Sequence, residues 1–337
     1  TTLAWNPWKK LRIPHRLLGT KLACALHDWL VARALERMAG KVDVVHLWPL
    51  GALQTIRVAK ELGIPSLLER PNAHTRLAYE VVEKECQRLG ISMPKGHEHA
   101  FKPDWLEREE KEFEEADKLL CPSDFVARTF KDYGYRSEKL ARHQYGYDDK
   151  VYYPDPRPRE RKKGLTMLFV GGCTPRKGLH YALDAWLHSS AHKEGTFLIA
   201  GEFIPGYAEL LAKLLSHPSV KVLGHRKDVP DLMRSADIFV LPTIEEGSAL
   251  VTYEARACGC VLLVSDASGA ICTSWENALV HRVGDVAELT GQIDALEADR
   301  ELLERLRTSS LSTVDKITWQ RAGIRLCEIY NGVARQR

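Results

Sequence analysis

The sequence predicts an α/β protein of two domains, each organised around a parallel β-sheet, and three observations support this prediction. The chain has 337 residues, more than one hydrophobic core usually serves, so two domains of about 150 to 170 residues are expected. At 41–69 and again at 236–266, short apolar runs flank a helix-favouring segment, which is the pattern of a βαβ unit. A charged, proline-rich run at 153–158 is typical of an interdomain linker. We therefore expect domains at 1–150 and 160–317.

The first domain is predicted to alternate strands and helices along the chain. Its predicted elements are a helix ending at Met38, a strand at 41–48, a helix at 51–62, a strand at 64–69, helices within 76–117, a strand at 117–122 and a helix at 125–133. Ser123 is a suitable N-cap for the last of these helices, because its hydroxyl can accept a bond from a free backbone N–H.

The second domain repeats the same alternation. Its predicted strands are 165–171, 196–200, 220–223, 238–241 and 261–264, and its predicted helices are 208–215, 229–233, 249–258 and further segments from 286 onward, the last at 320–334. Gly259 directly follows the helix at 249–258 and is a natural C-cap.

The composition argues against several classes of protein. Apolar residues make up 45% of the chain and charged residues 28%, as in ordinary globular proteins. We find no apolar run of about 18 residues and no secretory signal, so no membrane span is predicted. The eight cysteines are scattered without a C-x-x-C pair, which fits a reduced, cytoplasmic setting. A net charge of +3 is too small to indicate a nucleic-acid partner.

The first 21 residues combine tryptophans, leucines and basic residues and contain no acidic residue. Such a stretch can lie on an anionic membrane surface, where each basic residue contributes about 1 kcal/mol. The alternative is the start of a packed helix with a solvated basic face. We therefore expect a cytoplasmic protein, with peripheral contact at the inner membrane face as an additional hypothesis.

The loop after the strand at 238–241 is the main candidate site. Gly247 and Ser248 are small, so a ligand can approach the backbone closely. The free N–H groups at the start of the next helix can bind phosphate or sugar hydroxyls. Glu246 and Glu254 could each hold a pair of vicinal hydroxyls, one pair on a sugar and one on a ribose. The alternative is an ordinary βαβ corner with solvated glutamates.

The segment from Asp237 to Asp266, with Glu-x7-Glu inside Glu-Gly-Ser-Ala-Leu-Val-Thr-Tyr-Glu-Ala, resembles the donor-site signature of the retaining glycosyltransferases of family 4. That resemblance implies the GT-B fold, in which two Rossmann-like domains face each other across a cleft and a final helix, here 318–337, packs back on the first. It also implies that Glu246 is a catalytic residue in contact with the donor sugar and that Glu254 binds the nucleotide ribose. The remaining donor-site residues replace the usual Gly-Phe-Gly-Leu of the family: Gly247, Ser248, Ala249 and Leu250.

A second loop, after the strand at 165–171, suits a diphosphate. Gly171 and Gly172 allow close approach, and Arg176 and Lys177 can neutralise the charge. The family places an Arg directly after Val-Gly and a Lys before a later Gly; Lys177 matches the second position, whereas Gly172 occupies the first and Arg176 would compensate.

Three further residues are assigned by the resemblance. A family histidine from the loop after the second strand contacts the donor sugar, which makes His74 a second catalytic candidate; the alternative is that His74 only caps the following helix. His225 and Arg226 follow the strand at 220–223 and are candidates for binding the base. The opening strand and glycine-rich loop of the family are not recognisable, so the first domain is predicted to be shortened. Either the chain is a truncated or specialised form, or the acceptor side is built differently.

Together with these features, the resemblance implies a retaining hexosyltransferase. Its donor would be a nucleotide-diphosphate sugar, and its acceptor a glycan, a lipid-linked compound or a small molecule. No Asp-x-Asp metal motif occurs in a suitable loop, so we expect activity without a metal or another cofactor. The alternatives are an epimerase or phosphorylase of the same fold and a non-catalytic or partner-dependent subunit that binds nucleotide sugars.

Overall fold

The computed structural model describes residues 13–94, 97, 100–156 and 163–335, with side chains from residue 19 onward. Most of the basic segment that suggested a membrane contact therefore lies outside the described residues. Within the described part of the chain, no helix combines the length and the apolar character needed to cross a membrane.

Two parallel sheets organise the chain, as predicted. The first has the order β1-β2-β3-β4 and the second the order β10-β9-β8-β5-β6-β7. The strands are β1 (Val45–Leu47), β2 (Ser66–Glu69), β3 (Lys118–Cys121), β4 (Leu140–Arg142), β5 (Thr166–Val170), β6 (Thr196–Ala200), β7 (Val220–Gly224), β8 (Ile238–Leu241), β9 (Val261–Ser265) and β10 (Ala278–His281).

Helices connect these strands. They are α1 (Ile13–Arg37), α2 (Leu53–Glu61), α3 (Thr75–Leu89), α4 (Pro103–Glu115), α5 (Asp124–Asp132), α6 (Leu179–His188), α7 (Tyr207–Leu210), α8 (Ala212–Leu215), α9 (Val229–Ser235), α10 (Leu250–Ala257), α11 (Val286–Ala298), α12 (Arg300–Leu311) and α13 (Trp319–Ala334).

The first sheet has a small core. Leu68 and Leu119 are fully buried with Phe113 and Phe130, which come from α4 and α5. β1 is shorter than the predicted strand at 41–48, because only Val45–Leu47 pairs with β2. β4 was not predicted: its three residues form no apolar run, and its pairing with β3 creates the strand.

The second sheet has the larger core, and every residue of β8 and β9 is buried. Such uniformly apolar strands are expected where helices cover both faces of a parallel sheet. The chain runs from β5 outward to β7 and then returns to β8 on the other side of β5. The carboxyl ends of β5 and β8 therefore flank a topological switch point, where ligands bind in open α/β sheets.

Helix α13 follows the second domain in sequence but packs on the first sheet. Ile329 lies in one cluster with Leu67 and Leu120, and the Tyr330 hydroxyl lies 2.6 Å from Nδ1 of His46. The position of the domain boundary stays a prediction, because residues 157–162 lie outside the described part of the chain.

Candidate functional site

Two loops meet at the switch point of the second sheet. The loop after β5 ends in a single 3₁₀ turn, Pro175–Lys177, and Gly178 follows it with a left-handed φ of 68°. A Cβ atom on Gly178 would lie 1.9 Å from the carbonyl oxygen of Pro242, which directly follows β8. Only glycine permits this approach, so it holds Arg176 and Lys177 against the loop that carries the glutamates.

Four charged side chains converge there. Nζ of Lys177 forms an ion pair with Oε1 of Glu246, and Nη1 of Arg176 lies 2.8 Å from the same oxygen. Nη1 of Arg176 also donates to the backbone oxygen of Glu245 at 2.9 Å. Burial raises the pKa of Glu245, an effect that the nearby Arg176 opposes. The structure thus brings together Arg176, Lys177 and Glu246, which the sequence placed in separate loops.

This arrangement can exchange one anion for another. Lys177 and Arg176 bind the Glu246 carboxylate in this structure. A diphosphate could accept the same charge-assisted hydrogen bonds through a larger number of oxygens. The two glycines leave room beside the cations: Gly171 directly follows β5 with a φ of 147°, and Gly172 is exposed. A Cβ on Gly172 would have its nearest neighbour at 3.9 Å, a methyl group of Thr174.

The helix after the glutamate loop is α10, as predicted, and Glu254 lies within it. Glu254 is half-buried, and burial raises its pKa, although a hydrogen bond from Tyr152 opposes the rise. Tyr152 belongs to the segment between the two sheets. Ser248 is buried: its Oγ lies 2.6 Å from the Tyr253 hydroxyl and donates to the Gly269 oxygen. The two other residues predicted for this side of the donor site differ in exposure: Ala249 is buried and Leu250 is 41% exposed.

His74 occupies the N-cap position of α3, but its side chain makes no capping bond. Its ring stacks on Tyr133 with a centroid distance of 4.1 Å and packs against Phe130 and Phe113. Burial, with Arg70 and Arg76 nearby, lowers the pKa of His74 to about 4, so the ring is neutral at pH 7. The structure therefore places the imidazole in an aromatic cluster of the first domain rather than beside Lys177 and Glu246.

The backbone next to His74 does reach the glutamate loop. Ala73 N–H donates to Oε1 of Glu245 at 3.1 Å, and a Cβ on Gly247 would lie only 1.5 Å from the Pro71 oxygen. Ser123 caps α5 as predicted, and its hydroxyl also donates to the Gly247 oxygen. Two loops of the first domain thus contact the glutamate loop of the second, residues 242–249.

Sequence reasoning missed these contacts and also missed Glu69. This carboxylate ends β2 and accepts hydrogen bonds from the Tyr145 hydroxyl at 2.8 Å, His143 Nε2 at 2.9 Å and His46 Nε2 at 3.1 Å. Burial alone would raise the pKa of Glu69, but the bonds from His143 and His46 lower it to about 2. The sequence did contain a signal for Glu69: a glutamate at the end of a predicted buried strand, just before the loop that carries His74.

The predicted base-binding residues lie apart from the charged group. His225 and Arg226 follow β7, the edge strand two places from β5, and both are exposed. Arg226 is paired with Asp228 at 2.8 Å. Among the described residues, no cluster of three His, Cys, Asp or Glu could hold a metal ion. Base recognition by this pair and independence from metals both stay predictions.

Comparison with known proteins gives a family match in the second domain and structural matches over most of the chain. Residues 164–299 match the family model Glycosyl transferases group 1. The chain is 33% identical over 92 residues, 27% of its length, to the N,N'-diacetylbacillosaminyl-diphospho-undecaprenol alpha-1,3-N-acetylgalactosaminyltransferase of Campylobacter jejuni. It is 39% identical over 123 residues, 33% of its length, to the UDP-Gal:alpha-D-GlcNAc-diphosphoundecaprenol alpha-1,3-galactosyltransferase of Escherichia coli. These matches span 24% and 30% of the two relatives.

Solved structures match over most of the chain. The crystal structure of Anabaena Alr3699/HepE in complex with UDP has a TM-score of 0.67 at 17% identity and covers 90% of this chain and 82% of that one. Sucrose-phosphate synthase from Thermosynechococcus elongatus also has a TM-score of 0.67 at 17% identity, with 91% and 78% covered. At such identities the likeness establishes the fold alone, and the predicted α/β fold of the GT-B type is confirmed.

Proposed function

We propose that this chain, which matches the family model Glycosyl transferases group 1 over residues 164–299, moves a sugar from a nucleotide-diphosphate donor to an acceptor with retention of the anomeric configuration. The observation that supports this activity best is the meeting of Arg176, Lys177 and Glu246 at the switch point of the second sheet. Two cations that hold a carboxylate can form the same charge-assisted hydrogen bonds with the oxygens of a diphosphate.

The proposed chemistry is mainly electrostatic. When the donor binds, its diphosphate takes the hydrogen bonds of Lys177 and Arg176, and Glu246 is released toward the sugar hydroxyls. As the glycosidic bond breaks, the same cations stabilise the negative charge that develops on the leaving diphosphate. A diphosphate oxygen then accepts the proton of the attacking hydroxyl, so no strong protein base and no metal ion are required.

The names of two relatives support the proposed acceptor. The names of the Campylobacter jejuni and Escherichia coli enzymes both describe acceptors attached to undecaprenol through a diphosphate. By that likeness we expect a lipid-linked acceptor here, and galactose or N-acetylgalactosamine as the first donor sugars to test. The basic segment at 1–21 would then hold the protein at the membrane surface that contains the acceptor.

One observation favours a second candidate, a subunit that binds nucleotide sugars without turnover. The ring of His74, the family histidine by resemblance, is packed among aromatic side chains and is only 2% exposed. A protein of this kind would keep the nucleotide site of the second domain and lack transfer.

Thermal unfolding in the presence of nucleotides tests nucleotide binding, on which both candidate functions depend. We expect UDP or another nucleoside diphosphate at millimolar concentration to raise Tm, since a ligand at a hundred times its Kd stabilises by about 2.7 kcal/mol. The matching nucleoside should raise Tm less, and EDTA should leave the effect unchanged. If no nucleoside diphosphate in the panel raises Tm, the proposed function is wrong.

A further inference from the structure

Glu85, a buried carboxylate on α3 of the first domain, is bound by side chains of the second domain. His180 Nε2 lies 2.7 Å from Oε1 of Glu85, and the Tyr181 hydroxyl donates to the same oxygen at 2.8 Å. Both partners belong to α6. Arg88, one turn further along α3, donates to that oxygen at 2.6 Å. Glu85 and His180 are 8% and 7% exposed, so the contact is largely removed from water.

The second-domain half of this contact is anchored in the protein core. Because a carboxylate only accepts hydrogen bonds, Nε2 of His180 donates to Glu85, and in the neutral ring Nδ1 accepts. Its donor is the Tyr207 hydroxyl at 2.7 Å, and Tyr207 is fully buried. Burial would raise the pKa of Glu85, but hydrogen bonds from His180, Arg88 and Tyr181 lower it to about 2. The carboxylate is therefore charged at neutral pH.

The contact links the two halves of the candidate site through rigid elements. On the first domain, α3 begins directly after His74, and Glu85 lies eleven residues later in the same helix, about 16 Å along its axis. On the second domain, His180 lies three residues after Lys177. Val82 and Cys86, beside Glu85 on α3, also pack against Ile244, which directly precedes Glu245.

We propose that Glu85 is a positioning residue for sugar transfer: by holding His180 and Tyr181, it fixes the orientation of the two domains in which the 71–74 loop meets the glutamate loop. This inference rests on the proposed function for its activity readout. A nucleotide held by the second domain alone does not need this orientation, whereas a reaction between the two domains does.

Glu85→Gln tests the proposal, since it removes the charge and keeps the shape. We expect turnover of the donor to fall about tenfold, with the Kd for the nucleoside diphosphate and the donor KM within about twofold of wild type. Small-angle X-ray scattering should show a larger radius of gyration. Tyr181→Phe, which loses only one hydroxyl and should fold normally, should lower turnover less. The double variant should be no worse than Glu85→Gln, because the two side chains act through one contact.

Glu110→Gln is the matched control. Glu110 pairs with Arg76 of α3 at 2.7 Å, within the first domain, so the variant loses an ion pair to the same helix and should keep wild-type turnover. Glu85→Gln with the turnover of this control would overturn the proposal, as would an equal loss of turnover and nucleotide affinity. If the wild type itself shows no turnover, the proposed function fails, and scattering still decides about Glu85: equal radii of gyration for wild type and Glu85→Gln overturn its role.

Discussion

Lys177 and Glu246 are 69 residues apart in the sequence and form an ion pair at the carboxyl edge of the second sheet. Their side chains are only 17% and 9% exposed, and Arg176 shares the same carboxylate oxygen. Under the proposed function, an incoming diphosphate would compete with Glu246 for both cations. Its arrival would then release the Glu246 carboxylate toward the sugar, and the predictions on Lys177 and Glu246 follow from this proposed exchange.

Replacing Lys177 by alanine should separate the phosphate site from the nucleoside site. We expect the affinity for nucleoside diphosphates to fall by about 1.5 to 3 kcal/mol, the usual contribution of a charged hydrogen bond, and that for nucleosides to change little. Isothermal titration calorimetry measures both, with the exposed Lys213→Ala as control. Equal losses for the two ligands would exclude Lys177 from the phosphate site.

Glu254→Ala should weaken the binding of nucleosides and nucleoside diphosphates alike, because the carboxylate is expected to hold the ribose that both contain. A loss of about 1.5 to 3 kcal/mol corresponds to about 10-fold to 150-fold in Kd. Glu209→Ala, an exposed substitution of the same kind in the second domain, should bind like wild type. Unchanged affinity in the Glu254 variant would rule out the ribose role.

His74 needs two substitutions, because its ring packs on Tyr133. Alanine removes the nitrogen atoms and also the packing, so we expect it to cost about 3 kcal/mol of stability. Phenylalanine lacks both nitrogen atoms and keeps an aromatic ring, which is slightly larger than imidazole. If His74 acts on the donor sugar, donor hydrolysis falls in both variants while stability falls more with alanine. If His74→Phe hydrolyses the donor at the wild-type rate, His74 has only a structural role.

His281 should make stability depend on pH. It ends β10, is 2% exposed, and burial lowers its pKa to about 4. The unfolded chain takes up this proton at about pH 6.5 and the folded protein only near pH 4, so the stabilisation is complete above 6.5 and is lost as pH falls toward 4.

Urea unfolding between pH 6.5 and 5 measures this effect. The residue accounts for up to about 1.4 kcal/mol per pH unit, so His281→Asn should give a shallower slope than wild type. His188→Asn, at an exposed histidine, should keep the wild-type slope. A wild-type slope in the His281 variant would contradict the assignment.

Hydrophobic runs bounded by turn residues predicted those strands whose bounds depend on their own sequence. β6 and β8 have the predicted bounds, because each is a single apolar run between turns. β4 was missed, since it exists only through its pairing with β3. Glu246 and Lys177 could be selected as candidates from the sequence because each belongs to a short motif.

The contacts between the domains were not predicted, for a different reason. The hydroxyl of Ser123 bonds an oxygen 124 residues away, and Glu85 bonds His180 at a separation of 95 residues. Neither partner has a sequence pattern that points to the other, because their meeting depends on how the two domains pack. The same limit applies to His74, whose aromatic neighbours come from two other segments, α4 and 130–135.

Release of nucleoside diphosphate from donor sugars, followed over hours without acceptor, tests the central claim most directly. Water can replace the acceptor, so the wild type should hydrolyse at least one donor slowly. Glu246→Gln keeps the shape and removes the carboxylate that Lys177 and Arg176 share. The variant should bind nucleoside diphosphate at least as tightly as wild type and release almost none from the donor. No release by the wild type from any donor, with binding established by calorimetry, would contradict the account and identify a binding subunit.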